Sequence, residues 1–417
     1  MILPADQRRV RIVEGFRAHL LAAADLPFLP DSRLRATALP QDIQLAIGVA
    51  TRRQDGLAHL RRAQCAILRR HANRLRPVSR RINLALMPPS VLWIAADFNT
   101  AFVAVATAAI GWLDTTLAER FVYGFPVVGP IPDSGVYRLL PEPTAAADAA
   151  ARYERFQATA AAWTRTQAAR LTAARMSNPQ QLKADMAVAA KTAKEKAKGL
   201  VRGPYSTIDA LQRAVAEHYP GAPPGTLPRP LDRFGVPQKG DIRAIDDGRR
   251  NGANGAARML ETITSPTFAF PAIVARAVRV VSEADGLPMP PLALALADLA
   301  SAYRLIPTAQ PWFTAIAFFN PTRTEDGVLC GREYYYLPGH NFGLTAAVVN
   351  FNRYPEFIVV MARVFTAVPI DHYVDDFIIT DVSAGGDSAL FSLRTIILAC
   401  GPGSARPGAR LCAPVAY

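Results

Sequence analysis

The chain has 417 residues, half of them hydrophobic, with 47 Lys and Arg against 34 Asp and Glu, a net charge of +13. That hydrophobic content excludes a disordered chain, and the length accommodates two or three domains with substantial cores. The positive excess points to a polyanionic partner, nucleic acid ahead of an anionic membrane.

Residues 1–140 read as a basic, mostly helical region, interrupted by LPFLPDS and ALP. Residues 1–86 hold 16 Arg, no Lys and 6 acidic residues, a local charge of +10. Arginine matches phosphate oxygens in a planar, bidentate way. The segment is therefore either a phosphate-contacting surface or a solvated helical one. The start, MILPADQRRVRIVEGF, lacks a signal-peptide core. Cys65, Cys330, Cys400 and Cys412 lack the close spacing of a zinc knuckle or a redox pair. An intracellular protein, cytoplasmic or nuclear and not secreted, is expected. Val91–Leu113 is apolar and near spanning length, but it carries Asp97 and Asn99. A buried helix without stable membrane association is expected there, with a spanning helix as the alternative.

Residues 141–219 form an Ala-rich helical segment, broken once at Asn178-Pro179. Its basic stretch AVAAKTAKEKAKG ends at Gly199, a candidate C-cap. That stretch is either a solvated face or a nucleic-acid contact. PGAPPGTLPRPLDRFG, residues 220–235, reads as a linker. Short strands, helices and turns then alternate.

Gln238-Lys239-Gly240-Asp241 has the form of a hairpin turn, with Lys239 and Arg243 able to reach a triphosphate. LALALADLASAYRLIP, residues 292–307, opens with an alternating apolar run that predicts a buried strand ending at Asp298. Gly343 would allow close backbone approach to a ligand. HYVDDFIITD, residues 372–381, reads as strand, tight turn, strand, with Asp375 and Asp376 at the tip. One Asp is ordinary turn chemistry; two repel each other. The pair is either a solvated turn or part of a divalent-metal site. A strand ending in Asp298 beside this hairpin would gather three carboxylates, a costly cluster unless cations neutralise it. Two Mg²⁺ ions roughly 3.5–4 Å apart suit such a cluster and phosphoryl transfer.

In order and content these segments resemble the palm and fingers of a retroelement reverse transcriptase. Asp298, Ala302, Tyr303, Ile306 and Pro307 match D-x-x-x-A-[YF]-x-x-[IV]-P. Phe342, Gly343, Leu344, Ala347 and Phe351 match the F-G-L-x-x-A-x-x-x-F part of the next motif. There the preceding Leu337-Pro338 is displaced by the insertion Gly339-His340-Asn341. Tyr373, Asp375 and Asp376 match Y-x-D-D. Lys239, Arg243, Ile245 and Asp247 match a fingers motif of Lys followed by Arg-x-[IV]-x-D.

The resemblance implies an α+β right-hand polymerase fold with an antiparallel sheet, its fingers and palm over residues 220–385. It implies an RNA-directed DNA polymerase that adds dNTPs to a primer 3′-hydroxyl on an RNA or DNA template. Asp298, Asp375 and Asp376 would be the catalytic, metal-binding carboxylates, holding two Mg²⁺ ions, with Mn²⁺ as a substitute. Lys239 and Arg243 would hold outer phosphates. Tyr303 would lie under the sugar and exclude a 2′-hydroxyl. Leu299, Phe342, Gly343 and Leu344 would line the nucleotide. Residues 386–417, rich in Gly, Pro, Ala and Arg toward their end, depart from the family. They predict an irregular tail in place of a thumb. The corresponding alternative is a non-catalytic nucleic-acid-binding remnant of a retroelement polyprotein.

Overall fold

The computed structural model describes residues 39–140, 146–223, 225–263, 269–299 and 302–401. Its helices and sheets are mixed in the α+β manner. Two compact units emerge, each assembled from separated stretches: residues 1–74, 265–300 and 354–417 in the first, 75–264 and 301–353 in the second. The units therefore do not follow the sequence blocks 1–140, 141–219 and 220–385. PGAPPGTLPRPLDRFG lies within the second unit and does not separate the two. Its Leu231 is fully buried and begins a strand, so the prolines mark turns leading into a sheet.

The first unit is built on a three-stranded antiparallel sheet, ordered Ile370–Tyr373, Asp376–Val382, Leu292–Asp298. Period-2 alternation puts Leu292, Leu294, Leu296 and Asp298 on one face of the last strand. Helices Gln41–Arg52 and Phe270–Ala284 cover one end of that face, where Ile43, Ile47, Phe270, Val274 and Val278 pack against Leu292 and Ile378. Leu296, the cross-strand partner of Ile378, is nevertheless 48% exposed. The expected buried strand is thus a sheet edge, with Ala297 its one buried residue. A short Leu/Ala repeat cannot distinguish a central strand from an edge whose leucine face is covered at one end.

Helix Leu57–Leu86 begins in this unit and carries eight Arg without an acidic residue. Arg61 turns inward and is fully buried. Its guanidinium forms a two-pronged ion pair with Asp381 and donates to the carbonyls of Thr366 (3.0 Å) and Ala367 (2.7 Å). Arg61 therefore contacts neither phosphate nor solvent; it is a core cross-link. Ser388–Cys400 is a helix with Leu390, Leu393 and Ile396 buried, which corrects the irregular tail predicted from residue 386. The Gly/Pro-rich composition that suggested irregularity begins only at Gly401, and residues 402–417 lie outside the described residues.

The second unit holds a five-stranded sheet, ordered Arg202–Tyr205, Leu329–Tyr336, Ala315–Arg323, Leu231–Gln238, Asp241–Asp246. It is not wholly antiparallel: Leu231 and Asp232 run parallel to Ile316 and Ala317. Tyr334, Tyr335 and Tyr336 are buried strand residues. Helix Pro179–Ala197 lies against the sheet. Asn178 caps its start, its side chain accepting from the amides of Gln180 and Gln181. The end closes in a Schellman motif: Gly199 N–H donates to Lys196 O (2.8 Å) and Leu200 N–H to Glu195 O (3.0 Å), with Gly199 at φ 72°. The Val91–Leu113 run is broken into helices Pro89–Ala95 and Thr100–Ala109, bent by 72°. Asn83 takes up the exposed carbonyls of the break, donating to Ala96 O and Phe98 O. Among the described residues no single helix is long and apolar enough to cross a membrane; this bent pair meets the test only jointly.

Candidate active site

In the first unit the HYVDDF stretch is a hairpin. Ile370–Tyr373 pairs with Asp376–Val382, and Val374 and Asp375 form the turn. Val374 has φ 57°, a left-handed conformation that a β-branched side chain adopts only at a cost. Asp376 lies directly opposite Asp298 across the sheet. Leu299 N–H donates to Asp375 O at 3.0 Å, tying the turn to the end of the Asp298 strand. All three aspartates therefore lie at one end of the sheet.

Their electrostatics follow from that placement. Partial desolvation, then the charge of Asp375, pushes the Asp298 carboxyl above its ordinary pKa. Asp376 is raised in the same direction by desolvation, then by Asp375 and Asp298. Like charges directly opposite each other destabilise a sheet, and both rises come from burial and neighbouring carboxylates. Hard carboxylate oxygens of this kind match Mg²⁺. Yet among the described residues no three His, Cys, Asp or Glu side chains converge tightly enough to hold a metal ion. The donor set fits in chemical type; it does not form a closed cage.

Two further side chains frame the turn. His372 is buried, with Nδ1 3.0 Å from Val374 O and Nε2 2.8 Å from a Glu356 carboxylate oxygen. No sequence motif links His372 to Glu356, which lies on the helix Thr345–Thr366.

The remaining predicted residues, apart from Leu299, belong to the second unit. Lys239 and Gly240 are the two-residue loop of the predicted hairpin, both at positive φ (47° and 83°), the signature of a type I′ turn. Arg243 is exposed on the returning strand, its guanidinium 5.9 Å from the centre of the Phe342 ring. Tyr303 is buried, edge-to-face with Phe342 and packed on Phe351, each at 4.9 Å between ring centres. Arg243, Tyr303 and Phe342 are thus gathered together.

The protein's own contacts account for three positions here. Gly343, at φ 101°, would place a Cβ 2.2 Å from Asp246 O, so glycine is required by contact with protein backbone, whatever ligand comes near. Leu344 is a core residue at 1% exposure and does not line an open site. Arg304 is buried between Asp246 (3.2 Å) and Glu195 (3.0 Å). Arg233 completes that network with Asp246 and Glu195, each at 2.6 Å. Desolvation opposes the Asp246 charge, but Arg233 and Arg304 outweigh it and hold the carboxyl down at about 2. Asp247 caps the short helix Gly248–Asn251, accepting from Arg250 N–H at 2.8 Å.

No protein-family model matches the chain, and no curated protein matches it. Among solved structures, a foamy viral protease–reverse transcriptase in complex with double-stranded DNA is similar over 48% of this chain and 31% of that one. The identity is 14% and the TM-score 0.28, a likeness too slight to carry an argument about fold or activity.

Proposed function

We propose that the chain is a retroelement-type RNA-directed DNA polymerase whose catalytic carboxylates are Asp298, Asp375 and Asp376. The observation that carries this reading is the register pairing of Asp298 with Asp376, with Asp375 in the adjoining turn. Two strand segments far apart in sequence meet so that three acids share one open sheet end, at an electrostatic cost that a purely structural turn has no reason to bear. Asp298 and Asp375, supported by Asp376, would hold two Mg²⁺ ions, which when bound supply charge neutralisation and activation of a primer 3′-hydroxyl toward a dNTP α-phosphate. Leu299, held to the turn by its own amide, would contact the nucleotide. Lys239, Arg243, Tyr303, Phe342 and Gly343 enter the proposal through their motif positions: the two cations for phosphates, the Tyr303 ring against a ribose 2′-hydroxyl, Phe342 and Gly343 beside the nucleotide.

The test is primer extension on RNA and DNA templates with dNTPs and Mg²⁺ or Mn²⁺, run beside an Asp375→Asn/Asp376→Asn double variant. Extension by the wild type alone supports the reading. Failure of folded, template-binding wild type to extend under either metal sinks it. The second reading, nucleic-acid binding without catalysis, draws on the helix beginning at Leu57, where Arg62, Arg69, Arg70 and Arg74 are all exposed. It predicts binding that weakens steeply as salt rises.

A further inference from the structure

We propose that His372 and Glu356 form a positioning pair that holds the Val374–Asp375 turn in its active shape; this rests on the polymerase reading of the three aspartates. The turn offers two peptide carbonyls, and each has a partner. Asp375 O accepts from Leu299 N–H, and Val374 O faces His372 Nδ1 at 3.0 Å. The first bond ties the turn to the neighbouring strand. The second ties it, through the imidazole and the 2.8 Å contact to Glu356, to the helix Thr345–Thr366.

The turn has need of such a tether. Val374 occupies a conformation that its branched side chain disfavours, and such residues persist only where their surroundings over-determine them. Repulsion among Asp298, Asp375 and Asp376 also works to splay the hairpin tip. The carbonyl of Val374 and the carboxylate of Glu356 are both acceptors, and the two ring nitrogens of His372 face them one each. Burial works against the Glu356 charge, yet the His372 bond and charge, with Arg363, hold its carboxyl below its ordinary pKa. Arg363 in turn donates to Ile370 O at 2.9 Å and pairs with Asp42 at 3.1 Å, fixing the start of the same hairpin strand. His372 touches neither substrate nor metal position in this arrangement; its effect passes through the backbone of Val374 to the carboxylate of Asp375.

Amide hydrogen exchange over residues 370–382 reads the clamp without requiring activity. His372→Ala and Glu356→Ala should each speed exchange in the turn while leaving residues 292–297 protected. His372→Asn, whose amide can reach the place of Nδ1, should restore protection. In single-nucleotide extension the two alanine variants should lose about 10- to 100-fold in kcat, the scale of misplaced reacting groups. The KM for dNTP should change less than about two-fold, since nucleotide contacts stay intact. Mn²⁺ binding, followed by electron paramagnetic resonance, should weaken in parallel. If either alanine variant fails to fold, His372→Asn and Glu356→Gln carry the comparison, the first near wild type and the second intermediate. Unchanged exchange in the turn of the alanine variants would overturn the clamp. A wild type that never extends a primer would remove the polymerase reading, and the exchange data would still decide whether the pair holds the turn.

Discussion

Asp298 and Asp376 are direct cross-strand partners at the open end of a three-stranded sheet. Folding partly desolvates both carboxylates and sets them near the Asp375 charge, which raises both pKa values, so each charged acid disfavours the folded chain. For an acid with a raised folded pKa, the folded state is favoured below the unfolded pKa, and that advantage is lost as pH rises through the folded value. Without metal, Asp298→Asn or Asp376→Asn should therefore raise Tm at pH 7. The same variants should have little effect below about pH 4, where the acids are protonated in both states. Adding Mg²⁺ should stabilise the wild type more than either variant. Thermal melts with and without Mg²⁺ measure all three effects, and equal Mg²⁺ stabilisation of wild type and variants would count against a shared cation site.

Activity should respond in the opposite sense. Asp375→Asn keeps the side-chain volume and removes a charge that the proposed reaction needs. Its kcat on a primed template should fall by about 10³-fold or more, of the order seen when a central electrostatic contribution is deleted. Primer binding, read by fluorescence anisotropy, should stay within about three-fold, because the change removes no cation that contacts phosphate. Comparable losses in both measurements would mean that the substitution had disturbed the fold and not the chemistry.

The buried Arg233–Asp246–Arg304 network gives the second unit its own acid sensitivity. Asp246 is held at about 2, below its ordinary 3.8, so its contribution is present above the unfolded pKa and is lost as pH falls from about 4 toward 2. Asp246→Asn leaves two buried guanidiniums facing a neutral amide and should cost about 3–5 kcal/mol at pH 7. Urea melts at pH 7 and pH 3 should show the variant's deficit shrinking at the lower pH. A constant deficit would mean that packing, not charge, accounts for the loss.

Much of the candidate site was legible in the sequence, for local reasons. Lys239-Gly240 and Val374-Asp375 are two-residue turns between strand-forming runs, and such hairpins are set by neighbouring residues. The convergence of Asp298 with Asp376 was legible only through the order of motifs, since no local rule says which strands pair. Composition concealed other features. Arg61 read as part of a phosphate-facing or solvated surface because a buried arginine is revealed only by its partner, here Asp381, which lies 320 residues away. The Ser388–Cys400 helix was hidden by averaging it with the Gly/Pro-rich residues that follow. The two interleaved units were not legible either, because contacts between distant segments leave no mark at a chain boundary.

Arg61 makes the consequence of that concealment measurable. Its side chain is fully buried, and its guanidinium serves Asp381 and two backbone carbonyls. Arg61→Ala strands the Asp381 charge and those carbonyls, and should cost about 3–5 kcal/mol. Arg62→Ala, one residue on, removes an exposed pair with Asp387 and should cost under about 1 kcal/mol. Chemical denaturation of the two variants side by side makes the comparison; equal costs would show that the inward ion pair has no special weight.

Tyr303 links stability and proposed selectivity through one ring. Its contacts with Phe342 and Phe351 make it part of the packing of the second unit, so Tyr303→Ala should cost about 3–5 kcal/mol through the cavity it leaves. Tyr303→Phe retains the ring and should be far milder in stability. If the ring also excludes a ribose 2′-hydroxyl, Tyr303→Phe should keep the preference for dNTP over rNTP. Tyr303→Val should relax it by about 10-fold or more, since steric exclusion depends on ring bulk and not on the phenolic hydroxyl. Primer extension with matched dNTP and rNTP, reported as the ratio of kcat/KM values, separates selectivity from any general loss of folded enzyme. An unchanged ratio in Tyr303→Val would restrict Tyr303 to packing and move the sugar discrimination elsewhere.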